Sequence, residues 1–419
     1  MKRALLVLSV ILVAASCQPR QEVNYSSVFC VYPEKTPRAS RAPKGYKVFH
    51  ISHYGRHGSR YQGSDDRYSI PVTILEAQAA MDNLTPWGED LLGRLRALQE
   101  ETRDHAGQLS TIGAGQHRRI ASRMMKNYPS LFVEGAWIDA RSSLVKRCQD
   151  SMDAFCEAMD ARERRMLLTQ HSDSLTMSLL VPKTRQLDSL DAKDAAWRVE
   201  GWWAQYRREV MKPERLLSAL FADPAKVDYD GVELMQLLYY LVVGQQDIPS
   251  EVDLSDVLAE EELEGCWKAI SARMYYVNCD CPATDSIGLK SALPLLWDFF
   301  EDGWAAVQGR SATVSLRFGH DSNLIRLLCL MGVEGCTARE DDPERYCYAW
   351  QDWKISPMAA NLQMVFYRNA RDKVLVKLLL NERETSIPAL GPGPYYEWTV
   401  VSDHFESLLY KDEAPVAGD

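Results

Sequence analysis

Strand-like segments stand towards both ends of this chain, with a long helical stretch between them. Residues 47–52 form a short, mostly apolar run that stops at Gly55 and Gly58. Residues 312–318 alternate, with Val314, Leu316 and Phe318 on one face, and stop at Gly319. Residues 137–141, 362–367 and 374–380 read as further strands. By contrast, residues 160–305 read as mainly helical, with segments at 195–211, 231–243, 260–276 and 292–308. Strands that are far apart in sequence must still meet in one sheet, so the helical stretch has to leave and return. The predicted fold class is α/β. It has a three-layer core, whose mixed, mainly parallel central sheet is flanked by helices, and an inserted, mostly α-helical cap. The expected boundaries are 45–155 and 305–412 for the core and 156–304 for the cap.

The first 44 residues read differently. Lys2 and Arg3 precede an apolar run over residues 4–15, followed by Ser16 and Cys17. This is the order of a secretory signal, too short to span a bilayer as a mature helix. Ala14-Ala15-Ser16-Cys17 resembles a bacterial lipobox, which implies residues 1–17 as a lipoprotein signal, lipidation at Cys17, and a protein exported to the outer membrane, cell surface or periplasm. Residues 18–44, with Pro33, Pro37 and Pro43, suit a tether. The lipid anchor is then the expected membrane contact.

Against 48 Lys and Arg stand 58 Asp and Glu, a formal net charge of -10. That disfavours nucleic acid as a partner, while leaving room for a locally basic cleft. Nine cysteines follow Cys17. Cys148 and Cys156 lie on an apolar helical stripe, and Cys336 and Cys347 flank a polar loop they are able to close. Cys279-Asp280-Cys281 lacks a second Cys pair for a zinc site, and no metal or cofactor is assigned.

Chemistry in such a fold belongs at the carboxyl ends of strands, where two turns draw attention. The first is Arg56-His57-Gly58-Ser59-Arg60. His53 and His57 are four residues apart, but Gly55 and Gly58 argue against the helix a metal pair would need. An imidazole between two guanidinium groups suits a phosphate ester instead. The arginine forks grip its oxygens, and the histidine, kept neutral by their charge, acts as nucleophile. The second turn is Gly319-His320-Asp321. It offers another phosphate donor and an acid for the departing alkoxide. Taken alone, each turn also reads as an ordinary surface turn or helix cap.

Together the turns resemble the histidine acid phosphatase and phytase branch of the histidine phosphatase superfamily. Arg56-His57-Gly58-x-Arg60 is similar to its amino-terminal motif and His320-Asp321 to its carboxy-terminal one. Arg141-Ser-Ser-Leu-Val-Lys-Arg147 resembles the segment that carries one more phosphate-binding arginine. The resemblance implies His57 as nucleophile and Asp321 as proton donor. It implies Arg56, Arg60, Arg147 and His320 as phosphate ligands, with no metal cofactor. Residues 316–320, 330–332 and Asn381-Glu382 look most like bacterial multiple inositol polyphosphate phosphatases. Those typically carry His-Ala-Glu where this chain has His320-Asp321-Ser322, so the donor sits one residue earlier on a shorter side chain. Proline is also absent after Arg60-Tyr61, where Gln62 stands. The implied function is hydrolysis of small phosphomonoesters, inositol phosphates (phytate) or sugar phosphates, through a phosphohistidine. The mutase-like branch ranks lower, for want of the His-Asp ending and the long cap. A non-catalytic phosphate- or glycan-binding lipoprotein of the same fold is the alternative, although binding alone needs no leaving-group acid. Arg67, after the first motif, is a minor candidate for substrate selection.

Overall fold

β1 (Tyr46–Arg56) runs through the middle of the sheet and ends at the first motif. The computed structural model describes residues 23–181 and 201–410, apart from 38, 163, 285 and 341. Residues 1–22, which hold the expected signal and Cys17, lie outside these, as do residues 195–200 of the first predicted cap helix, whose remainder forms the helix Trp202–Val210. The other strands are β2 (Trp137–Ser142), β3 (Leu167–His171), β4 (Val314–Gly319), β5 (Asn361–Asn369), β6 (Val374–Leu380), β7 (Arg383–Glu384) and β8 (Tyr395–Glu397). Their order is β3-β2-β4-β1-β5-β6-β7, with β8 on β6. The four strands from β3 to β1 are parallel, and β5 to β8 add an antiparallel half. The mixed α/β sheet expected from the sequence is therefore present.

Alternation along the strands makes the three layers. In β5, Met364 and Phe366 join one apolar cluster while Val365 and Tyr367 join another. Leu295 and Phe299, Leu324 and Leu328, and Trp398 and Phe405 bring three helices to the first face, Leu293–Val307, Asp321–Met331 and Trp398–Leu409. On the second, Ile120 and Met124 of α3 (Thr111–Asn127) and Met152 and Phe155 of α4 (Lys146–Met159) pack against Ile138, Leu316 and Phe318. A strand buried on both faces has nowhere to place alternating polar side chains, which explains the apolar runs that marked the strands.

Two features differ from the expected partition. β3 falls within 156–304 yet extends the sheet, pairing parallel to β2. Residues 23–32, placed in the tether, pack into the protein: Val28, Phe29 and Tyr32 are buried. Tyr32 donates a hydrogen bond to Glu382, and the carbonyl of Cys30 accepts one from the amide of Met358. Their apolar side chains need that cover. The helices Gly231–Gly244 and Glu260–Asn278 occupy the insertion, and α1 (Asp66–Ala79) packs on the former. No described helix is long and apolar enough to cross a membrane. Cys336 and Cys347 are free thiols and do not close the loop between them.

Behind the first motif, His53 and His117 are buried against Phe155 and Phe318, with ring centroids 5.4–6.4 Å apart. Burial holds both imidazoles at about 3, below the usual 6.5. The unfolded chain therefore binds protons between 6.5 and about 3 that the folded chain refuses. Stability should fall on acidification through that window and level off below it, by about 1.4 kcal/mol per imidazole per pH unit. Denaturant titrations at stepped pH are expected to show this slope, and His117→Phe should remove about half of it; an unchanged slope would contradict the assignment.

Candidate active site

Strand register brings the two motifs side by side. β1 and β4 are parallel neighbours with Arg56 opposite Gly319, so His57 and His320 leave the sheet at the same edge. The amide of His57 donates to the carbonyl of Gly319 at 2.9 Å, and the two imidazole centroids are 5.7 Å apart. β2 flanks β4 on its other side, with Ser142 opposite Phe318. A short turn then starts α4, whose second residue is Arg147. The three motifs thus rise from the carboxyl ends of three adjacent parallel strands.

The nucleophile candidate is held in one orientation. His57 is 2% exposed, and its Nδ1 donates to the carbonyl of Gly58 at 2.9 Å. That bond fixes the tautomer and leaves the Nε2 lone pair free. Burial and then the charges of Arg56, Arg147 and Arg60 hold its pKa well below 6.5. Burial and Arg147 likewise lower His320, to about 4. Both rings are therefore neutral in mildly acidic solution.

The cations differ in their commitments. Arg56 is buried; its Nη1 donates to the carbonyls of Val28 (2.5 Å) and Ser356 (2.6 Å), and Nη2 lies 3.2 Å from Asp321 Oδ2. Arg60 donates to the carbonyl of Tyr61 at 2.8 Å, and burial with Arg147 and Arg56 lowers it to about 10. Arg147 Nη2 lies 3.4 Å from Nδ1 of His320, whose Nε2 lies 3.4 Å from Ser143 Oγ. The Nε atoms of all three arginines are buried without partners. So much positive charge with so few counter-charges describes a site made for an anion.

Asp321 is the first residue of its helix, and Oδ1 accepts from the amide of Ser322 at 2.8 Å. Burial would raise its carboxyl, but Arg56, His320 and that amide hold it below 3.8. Cys148 lies 3.7 Å from His320 Nε2, and burial raises its thiol to about 11, so it carries no thiolate. His53 takes no part in the cleft. Among the described residues, no group of three His, Cys, Asp or Glu side chains is arranged to hold a metal.

Sequence reasoning missed the parts that clamp the loop. Gly58 donates to Ser151 Oγ at 3.2 Å, and Ser59 exchanges hydrogen bonds with Gln116 at 2.9 and 2.8 Å. Asp247, from the insertion, accepts from Ser59 Oγ at 2.5 Å. Ser151 continues the segment that leads on from Arg147, but Gln116 and Asp247 belong to no local motif, and only the fold assembles them. Gln62, in place of proline, uses the N–H that proline lacks, donating to Tyr68 Oη at 2.9 Å. Its carbonyl accepts from Gly107 and its Nε2 donates to the carbonyl of Tyr240, both at 2.7 Å. Arg67 stands beside it, 4.1 Å over the Tyr240 ring. Gly113 has no room for a side chain, since a Cβ would meet the Ser59 carbonyl oxygen at 2.2 Å. Gly113→Ala should cost at least about 2 kcal/mol in denaturant unfolding and displace the loop, lowering activity; wild-type stability would refute that tight fit.

A family model for the histidine phosphatase superfamily (branch 2) matches residues 55–381. The chain belongs to this branch. As a member it is a phosphoric monoester hydrolase. The multiple inositol polyphosphate phosphatase of Bifidobacterium longum, solved with inositol hexasulfate, has a similar fold. Its TM-score is 0.74 at 19% identity, over 91% of this chain and 98% of that one. The phytase of D. castellii matches with a TM-score of 0.69 at 13% identity, over 93% and 85%. That of Citrobacter braakii reaches 0.52 at 12%, over 86% and 98%. No curated protein sequence matches the chain.

Proposed function

We propose that this histidine phosphatase hydrolyses small phosphomonoesters, inositol phosphates or sugar phosphates, through a phosphohistidine on His57. The observation that carries the reading is the oriented, neutral imidazole of His57, with Nε2 free, among Arg56, Arg60 and Arg147. In the first step, Nε2 attacks phosphorus as the ester P–O bond breaks. Asp321 protonates the leaving alkoxide, and the three guanidinium groups with His320 hold the phosphoryl oxygens. Water then attacks the phosphohistidine and Asp321 takes its proton, releasing phosphate and neutral His57. Asp321 starts ionised beside Arg56. A substrate dianion drawing on the same guanidinium raises the carboxyl's proton affinity, which suits an acidic to neutral optimum.

Inositol phosphates are favoured by the histidine phosphatase family and by the three clustered guanidinium groups, whose Nε atoms are buried without partners. Chromatography of the products after incubation with phytate should show successive loss of phosphate. Intact hexakisphosphate beside rapid hydrolysis of sugar phosphates would instead make this a general acid phosphatase. Lys2, Arg3, the apolar run and Cys17 support export and anchoring of the enzyme by an N-terminal lipid.

A further inference from the structure

Asp247 is 1% exposed and ends the short turn Gln245–Asp247 that follows the helix Gly231–Gly244. Its Oδ1 accepts from Ser59 Oγ at 2.5 Å, between His57 and Arg60 in sequence, and its Oδ2 is buried without a partner. The backbone is pinned as well: the Asp247 carbonyl accepts from Ser110 Oγ at 2.5 Å, and Ser110 Oγ also lies 3.0 Å from the Ser59 carbonyl. A carboxyl group from the insertion thus lies against the phosphate-binding loop.

The charged and titratable groups facing it come from three elements. Arg56 from β1 and Arg60 from the loop both favour its ionised form, while Cys30 stands on the N-terminal segment. Burial outweighs the arginines and raises Asp247 to about 7. None of the neighbours titrates there. Arg60 is near 10, Cys30 near 11, His320 near 4, His57 well below 6.5 and Asp321 below 3.8. Asp352, raised by burial to about 6, is engaged by Ser27 and Trp267.

From this geometry we infer that Asp247 is a positioning residue that couples protonation of the inserted segment to anion affinity. Neutral, it anchors Ser59 and leaves the charge of Arg56 and Arg60 to the substrate. Ionised, it competes for that charge from behind. Linkage makes the effect reciprocal: bound anion raises the proton affinity of Asp247, and bound proton raises anion affinity. The inference rests on the anion-binding role of these arginines, and it locates the alkaline limit of anion binding in a residue of the inserted segment.

Inorganic sulfate separates the two ideas, because its charge is constant over the range and it needs no turnover. Calorimetric titration of the full chain should show sulfate affinity falling about tenfold from about pH 5.5 to about pH 8.5. In Asp247→Asn that fall should vanish. Ser59→Ala, which removes the hydrogen bond favouring the carboxylate, should shift the midpoint upward, and it serves as the test if Asp247→Asn does not fold. The alkaline limb of kcat/KM for p-nitrophenyl phosphate should move with both variants. Coincident sulfate profiles for wild type and Asp247→Asn, or a flat wild-type profile, would overturn the inference. Normal sulfate coupling without hydrolysis of any phosphomonoester would sink the proposed reaction alone.

Discussion

Replacing His57 with alanine is expected to lower turnover of p-nitrophenyl phosphate by about 10⁴-fold or more. The effect is large because no other group in the cleft can take the role. His320 has its Nδ1 lone pair 3.4 Å from the Arg147 guanidinium, facing a cation and not a phosphorus atom, which leaves its Nε2–H to donate to a phosphoryl oxygen. Cys148 is held as a thiol. Removing a neutral imidazole leaves the arginines in place, so phosphate should still bind. Rapid alkaline quenching of wild type with labelled substrate, in which a phosphohistidine survives, should trap label on the protein, and the variant should trap none. A His57→Ala protein of normal activity would end the phosphohistidine proposal.

The second large effect is expected at Asp321. An asparagine there would keep the size of the side chain but could neither give a proton to the leaving group nor take one from water. For alkyl phosphates, whose alkoxides leave poorly, Asp321→Asn should reduce kcat/KM, which reports phosphorylation and not the shared hydrolysis step, by about 10²- to 10⁴-fold. For aryl phosphates, whose phenolates leave readily, the first step should suffer far less. Loss of the ion pair with Arg56 affects both substrates alike, so the ratio isolates the proton transfer. Equal losses across a leaving-group series would remove Asp321 from that role.

The parts legible in the sequence were those whose physics is local. Apolar runs ending in glycine located β1 and β4, since burial on both faces and a sharp exit leave marks in consecutive residues. The arginine and histidine turns were legible for the same reason. β3 was not, because its residues Leu167, Thr169 and His171 lie on an edge strand with no continuous apolar run. The buried role of residues 23–32 was hidden by the prolines that follow them. Asp247 left no mark at all. Its significance depends on Ser59 and the two arginines, which lie far away in sequence, and an aspartate after a helix reads as an ordinary polar turn.

The strand that delivers His57 has an unusual history during synthesis. β1 spans residues 46–56, yet its two partners in the sheet are residues 314–319 and 361–369. No neighbouring segment of the nascent chain can complete its hydrogen bonds. Contacts of such long range close late, after the entropy of a very large loop has been overcome. The nucleophile is thus among the first groups to be polymerised and among the last to acquire its surroundings. A partly made chain holds the imidazole but neither the strand end beside it nor His320 and Asp321. The topology itself delays the appearance of a phosphatase until nearly the whole polypeptide exists.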